Sequence, residues 1–249
     1  MKSMMSKQTA IVVPCFNEES RLQLDEFRSA LDRYEFLSLC FVNDGSRDGT
    51  LSVLHGFERS CSGRVTVLSL NENSGKAEAV RHGVLHTVQS IEVQFVGYWD
   101  ADLATGLGEV VEFLKEFENH PEAEAVLGSR LRILGRQIDR HPMRHYMGRV
   151  FATMASTALQ LPVYDTQCGA KMFQRGIANK LFSKPFISDW CFDVEILARA
   201  IQRFGAEDCL KIVREIPLNS WIDQGGSKLH WYSPVRMAWD LLRIRLTYF

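Results

Sequence analysis

No stretch of the 249-residue chain approaches 18 consecutive apolar residues, so no segment reads as a helix crossing a bilayer. Met1 to Ala10 is polar and lacks the apolar core of a secretion signal. Neither charge is in surplus: 29 basic and 30 acidic residues leave a net −1, which argues against a globally basic nucleic-acid binder. The six cysteines (Cys15, Cys40, Cys61, Cys168, Cys191, Cys209) form no CxxC pair. A disulfide framework is not expected at this size, and reduced thiols in a cytosol are. Internal repeats, low-complexity tracts, an evident linker and a GxxxxGK[ST] loop are all lacking. What remains is ordinary globular composition, 46% apolar and 24% charged, in a length that suits one α/β domain.

Four short apolar, β-branched runs read as buried strands: Thr9–Val13, Leu37–Val42, Val65–Leu70 and Val93–Trp99. Helical patterns lie between and after them, near Arg21–Tyr34, Thr50–Arg59, Lys76–Val88 and Leu107–Phe117. This alternation predicts a mostly parallel sheet with right-handed crossovers. Each strand ends in a polar loop, and ligands of open α/β sheets bind outside the carboxyl ends of the strands. That edge is the expected site. Further on, Glu124–Gly128 and Ile212–Pro217 read as strands, and Met143–Leu161, Phe192–Phe204 and Pro234–Leu246 as helices.

Asp100 and Asp102 follow the fourth strand directly. Two carboxylates two residues apart can hold a hard divalent cation such as Mg²⁺ or Mn²⁺ against a diphosphate, and they can equally be a solvated turn. Asp44 follows the second strand, where a carboxylate could accept from a base N–H. Ser46 or Asp48 could cap the next helix. Asn73-Ser74-Gly75-Lys76 opens a helix whose N-terminus can meet a phosphate, or is simply capped. Residues 130–149 hold six arginines, two histidines and one acid, a local formal charge of +5. Arginine suits phosphate because its planar fork bonds two oxygens; a solvated basic loop is the alternative.

Several segments occur in order: Val12-Val13-Pro14-Cys15-Phe16-Asn17-Glu18-Glu19, Val42-Asn43-Asp44-Gly45-Ser46-Arg47-Asp48-Gly49-Thr50, Asn73-Ser74-Gly75-Lys76-Ala77 and Asp100-Ala101-Asp102. Jointly they resemble the nucleotide-sugar half of family 2 glycosyltransferases with the GT-A fold. Gly128-Ser129-Arg130, Asp165-Thr166-Gln167-Cys168-Gly169-Ala170-Lys171-Met172-Phe173, Phe192-Asp193-Val194-Glu195-Ile196-Leu197 and Gly226-Ser227-Lys228-Leu229 are similar to the dolichyl-phosphate β-glucosyltransferase branch. The resemblance spans about residues 9–247.

The resemblance implies a single GT-A domain over 1–249, a three-layer α/β/α sandwich. Its nucleotide-sugar half is 9–105 and its acceptor half, with basic amphipathic helices, is 106–249. Pro14, Asn17, Glu18, Asp44, Ser46, Asn73, Lys76 and Asp100 take donor positions, and Asp100 with Asp102 the metal. Ala104 stands where related mannosyltransferases can add a Gln to the metal shell. Asp165 takes the place of a catalytic carboxylate, with Asp102 beside it in the reaction; Arg130, Arg144 and Lys228 are assigned to the acceptor phosphate. The implied reaction is inverting transfer of a hexose, glucose from UDP-glucose, to a polyprenyl or dolichyl phosphate, with Mg²⁺ or Mn²⁺. The alternatives are a family 2 enzyme with a sugar, protein or small-molecule acceptor, and a non-catalytic nucleotide-binding scaffold.

The helix at 143–161 carries a Met-rich stripe, and the last helix ends basic and apolar. Either could pack in a core or lie in a membrane interface. Eukaryotic members of this branch carry an N-terminal membrane helix that is not found here. Contact with a membrane is therefore expected to be peripheral, at its cytoplasmic face, or supplied by a partner.

Overall fold

The computed structural model describes residues 8–61, 63–224 and 233–249. In chain order the elements are β1 (Thr9–Cys15), α1 (Leu24–Arg33), β2 (Leu37–Asp44), α2 (Thr50–Ser60), β3 (Val65–Leu70) and α3 (Lys76–Ser90). Then come β4 (Phe95–Tyr98), α4 (Glu109–Asn119), β5 (Ala125–Ser129), β6 (Gln137–Asp139), α5 (Pro142–Leu159) and β7 (Lys171–Gln174). The chain continues through α6 (Arg175–Leu181), α7 (Phe192–Phe204), α8 (Ala206–Ile212), β8 (Val213–Pro217), β9 (Ser220–Ile222) and α9 (Ser233–Tyr248).

The central sheet runs β3-β2-β1-β4-β7-β5-β8. Its strands are parallel except β7, which is antiparallel to both β4 and β5. Both faces are covered, and the side chains of β1 show why the runs are apolar throughout. Val12 packs with Cys40, Val42 and Ala77 of α3 on one face. Ile11 and Val13 pack on the other with Phe27 of α1, Phe57 of α2 and Phe113 of α4. A strand buried on both sides needs no polar alternation. Gly83 lets α3 press onto the sheet: a Cβ there would lie 2.4 Å from a methyl of Val12. The outcome is the expected three-layer sandwich.

The expected elements all form; β3 and α7 keep the expected bounds and the others have shifted ends. β1 continues through Pro14 to Cys15, and α1 starts at Leu24 rather than Arg21. The 143–161 helix ends at Leu159 because Gln160 turns left-handed (φ 55°) and closes it. Five short elements were not expected: β6, β7, α6, α8 and β9.

The strand order 3-2-1-4 brings the carboxyl ends of the first four strands to one edge, with the order reversing beside β1. Residue 130, just past the parallel β5, lies on the same edge. So does the segment entering β7, because that strand runs the opposite way.

Candidate active site

Two strand-end loops are tied together at this edge. Asn17, left-handed at φ 52°, donates its backbone N–H to the Ser46 hydroxyl (3.0 Å), and its side-chain oxygen accepts from the Arg47 N–H (2.9 Å). Glu18 N–H donates to Thr50 Oγ1 (2.9 Å), and Gly49 N–H to the Glu19 carboxylate (2.8 Å). Pro14 is the penultimate residue of β1, leading into this loop. Ser46 thus fastens the first loop to the second, while Asp48 bonds the Thr50 N–H (3.0 Å) where α2 starts.

Asp44 is 3% exposed, and its carboxylate organises the third loop. Oδ1 accepts from Ser74 N–H (2.7 Å); Oδ2 accepts from Gly75 N–H (3.0 Å) and Asn73 Nδ2 (2.9 Å). Burial raises its pKa, with the Ser74 and Gly75 N–H bonds opposing. The carboxylate expected to meet a base is thereby largely engaged within the protein. Oδ1 keeps one acceptor position beyond its bond to Ser74.

Lys76, the first residue of α3, reaches Asp100, with Nζ to Oδ1 at 2.5 Å. Burial alone would raise the Asp100 carboxyl; Lys76, Lys171 and Arg130 outweigh it, and the group lies below its usual range. The antiparallel register pairs Tyr98 with Lys171. Two residues further along each strand stand Asp100 and Gly169, face to face. A Cβ on Gly169 would sit 2.0 Å from Asp100 Oδ2, so only glycine admits the carboxylate here. Asp102 accepts the Ala104 N–H (3.0 Å), and burial, then the Asp100 charge, raises its pKa. The two aspartates offer hard oxygen donors of the kind a divalent cation takes, one seated in the Gly169 recess. No cluster of three or more His, Cys, Asp or Glu positioned to hold a metal occurs among the described residues. The remaining ligands of a cation here would have to be substrate oxygens or water.

Asp165 and Arg130, assigned separately from sequence, form one unit. Arg130 donates from Nε to Oδ2 (2.7 Å) and from Nη2 to Oδ1 (2.8 Å), and its backbone N–H donates to Oδ2 (3.0 Å). Burial works against the charge on Asp165, but Arg130 overrides it and holds the carboxyl well below the usual range. Arg130 in turn stays protonated despite its burial. Glu215 on β8 fixes this turn by accepting the N–H groups of Tyr164 (2.8 Å) and Asp165 (2.6 Å).

Around the pair lies a basic cleft lined by Arg130, Arg140, His145, Gly148, Arg149, Tyr164 and Asp165. Gly148 makes room for the Arg140 guanidinium, which would meet a Cβ at 2.4 Å. Arg149 lies 3.6 Å above the Tyr164 ring and donates to the Tyr164 carbonyl (2.8 Å). Burial, then Arg140, Arg132 and Arg149, lower the pKa of His145. Its Nδ1 is buried without a hydrogen-bond partner. Arg144 lies on α5, but its side chain is outside the described part, as is Lys228 altogether.

Sequence reasoning counted Arg140 and Arg149 in the basic stretch but assigned them no contact, and it placed Gly169, Lys171 and Asp193 in family-like segments without giving them a role. Fully buried Lys171 donates to the Cys168 carbonyl (2.5 Å) and to Asp193 Oδ1 (2.6 Å), to which Tyr98 also donates. This network supports the turn that carries Gly169. A lysine inside an apolar strand was the available signal.

Three comparisons bear on the whole assembly. Dolichyl-phosphate beta-glucosyltransferase ALG5C of Trichomonas vaginalis is 33% identical over 251 residues, covering 96% of this chain and 71% of that protein. The dolichyl-phosphate beta-glucosyltransferase of Mus musculus is 34% identical over 259 residues, covering 98% and 76%. Among solved structures, glucosyl-3-phosphoglycerate synthase of Mycobacterium tuberculosis, crystallised with Mn²⁺, UDP-glucose and phosphoglyceric acid, superposes with a TM-score of 0.68. That match covers 99% of this chain and 81% of the other at 16% identity, a likeness of the GT-A fold alone. The model of the glycosyl transferase family 2 matches residues 10–182, and with the relatives above it places this chain in that family: it is a family 2 glycosyltransferase.

Proposed function

We propose that the enzyme transfers glucose from UDP-glucose to a polyprenyl phosphate of the dolichyl type, with inversion at the anomeric carbon. The observation that carries this reading is the basic cleft. Arg140, Arg149 and the unpartnered Nδ1 of His145 surround the Arg130–Asp165 pair on the same sheet edge as Asp100. A neutral sugar acceptor has no use for that charge, whereas a phosphate monoester does. The names of the relatives point to the same acceptor.

The loops at Asn17, Glu18, Ser46 and Asn73 would frame the nucleotide, with the remaining acceptor position of Asp44 facing a uracil N–H. Asp100 and Asp102 would hold Mg²⁺ or Mn²⁺, which when bound neutralises charge on the departing diphosphate. Lys76 adds a positive charge there. An acceptor phosphate has a second pKa of about 6, so its oxygen is already ionised near neutrality. It bonds the anomeric carbon as the bond from that carbon to the donor diphosphate breaks, and no proton has to leave. That suits Asp165, which Arg130 makes a poor base. It orients the guanidinium and the acceptor rather than removing a proton. The six cysteines, all buried and unbridged, suit a reducing compartment and so the cytoplasmic side of a membrane.

The test is to incubate the protein with UDP-glucose, GDP-mannose, Mn²⁺ and a polyprenyl phosphate and weigh the product. A glucosyl lipid phosphate made from UDP-glucose is the expected result. Transfer only from GDP-mannose, or to water or free sugars but never to the lipid, refutes the assignment.

A further inference from the structure

One element touches both the Arg130–Asp165 pair and the Asp100–Asp102 turn: the parallel ribbon of β6 and β9, with three residues on each strand. A pair of strands so short does not hold itself together. It is anchored along its length instead. Leu218, just before β9, is fully buried and donates its N–H to the Ser129 carbonyl at the end of β5 (2.9 Å). Glu109, the first residue of α4, is 5% exposed. Its Oε1 accepts the N–H groups of Asn219 (2.9 Å) and Ser220 (3.3 Å), and its Oε2 the Asn219 amide (3.2 Å). The Asn219 carbonyl accepts the Gln137 N–H (2.9 Å), where the pairing with β6 starts. At the far end Ile222 N–H donates to the Ala104 carbonyl (3.0 Å). A buried carboxylate with three donors from the start of one strand fixes that strand to within a hydrogen-bond length.

Trp221 is the middle residue of β9, in register with buried Ile138 of β6. Its ring is only partly buried against the core, and the Arg130 guanidinium carbon lies 5.5 Å from the ring centre. The negative face of an indole attracts such a cation. The fork to Asp165 uses two of the five N–H groups of Arg130 and holds the guanidinium along one edge. A planar fork can still tilt about that edge. A ring packed against the guanidinium limits the tilt, so Trp221 and Asp165 together set where the remaining edge points. The next residue, Ile222, bonds Ala104, whose N–H in turn donates to Asp102 Oδ1 (3.0 Å). Contact from Arg130 to the Asp102 carboxylate is therefore continuous through β9. The other strand ends at Asp139, directly before Arg140 of the cleft.

We propose that Trp221 is a positioning residue: held by the anchored β9, it orients the free edge of the Arg130 guanidinium relative to the Asp100–Asp102 turn. The proposal rests on the acceptor reading above, in which that edge meets the acceptor phosphate and the turn meets the donor diphosphate. The attacking oxygen and the anomeric carbon have to approach to about 3–3.5 Å, and a misplacement of about 1 Å can cost about 100-fold in rate.

The test compares Trp221→Leu, which keeps an apolar side chain without the ring, with Trp221→Phe, which keeps an aromatic face. With UDP-glucose, Mn²⁺ and a polyprenyl phosphate, kcat/KM of Trp221→Leu for the lipid should fall at least tenfold. Its affinity for Mn²⁺ with UDP, by calorimetry, should stay within twofold of wild type, and circular dichroism should show a folded chain. Trp221→Phe should recover most of the rate. In an Arg130→Lys background no planar guanidinium is left to orient, so adding Trp221→Leu should change the rate less than twofold. A crystal structure of Trp221→Leu should show the guanidinium tilted out of the Asp165 plane. If Trp221→Leu does not fold, Trp221→Met serves in its place. Wild-type kcat/KM in the Leu variant overturns the proposal, and so does a loss matched by equally weakened UDP binding. A full further loss in the Arg130→Lys background also overturns it, because the ring would then act without Arg130. A wild type that never glucosylates the lipid refutes the acceptor reading instead. The crystal structure then decides alone, and an Arg130 that keeps its place in Trp221→Leu overturns the positioning role.

Discussion

Replacing Arg130 by Ala removes one half of a pair whose carboxylate is almost fully enclosed, with side-chain exposures of 13% for Arg130 and 9% for Asp165. Two charge-assisted bonds, of 2.7 and 2.8 Å, vanish, and Asp165 keeps only backbone donors. Breaking a buried pair in this way costs about 3–5 kcal/mol, because the surviving charge is stranded. For a chain of this size each kcal/mol moves the melting temperature by about 2–4 °C, so the midpoint should fall by about 6–20 °C. In the wild type the Asp165 carboxyl lies below its unfolded value of about 3.9. Its contribution is complete above that value and fades as the pH drops toward the folded value. In Arg130→Ala burial acts unopposed and the carboxyl rises. The stability gap between variant and wild type should therefore be widest at pH 7, shrink toward pH 4 as the variant's carboxyl takes up its proton, and close further only below the unfolded value, where the wild-type contribution fades. Thermal unfolding followed by circular dichroism at both pH values measures this. A double cycle with Asp165→Asn should show about 1–3 kcal/mol of coupling. A variant within about 1 kcal/mol of wild type at pH 7, or strictly additive substitutions, would show that the fork carries no structural weight.

Asp102→Asn should lower transfer at least 100-fold, on the scale of several kcal/mol that a bound cation contributes, with the melting temperature unchanged. Undiminished wild-type transfer in excess chelator contradicts this. Gly169→Ala drives a methyl into Asp100 Oδ2, and calorimetry should show Mn²⁺ with UDP binding at least tenfold more weakly. Affinity equal to wild type would mean that the recess is irrelevant. UDP should bind more tightly than GDP. Asp44→Ala should weaken UDP binding, since it leaves the Ser74 and Gly75 N–H groups without their acceptor at about 1–3 kcal/mol for each that stays buried, while Asn73 Nδ2 keeps only the residue 44 carbonyl. Equal affinity for GDP removes the uridine assignment.

The loop-bearing edge of the sheet was legible because β1 to β4 are continuous apolar runs that end abruptly in polar loops, and burial on both faces of a sheet demands that pattern. β7 was not. It has four residues, starts with a lysine, and has its fate set by partners far away in sequence. The basic cleft was half legible. The excess of arginine between 130 and 149 was plain, but which arginines turn inward depends on the rotation of α5. A helix apolar on both sides gives no periodic clue to that rotation. Arg140 and Arg149 face the cleft, while the residues named first were Arg130, committed to Asp165, and Arg144 and Lys228. Asp44 shows the converse limit: its position at a strand end was readable, but its engagement by the third loop was not.

The antiparallel strand β7 has a consequence for how the chain comes to be folded. It sits mid-sheet, between β4 and β5, yet arrives about seventy residues after β4. Until it arrives, β4 is an open edge whose residues Phe95, Val96 and Tyr98 are all destined for burial. Such an edge templates pairing with other chains, and closing so long a loop is slow. A nascent or truncated chain that stops short of residue 171 therefore presents its stickiest surface for the whole of that interval. Chaperone dependence and loss to aggregates should be set by synthesis through β7, whatever the stability of the finished sheet.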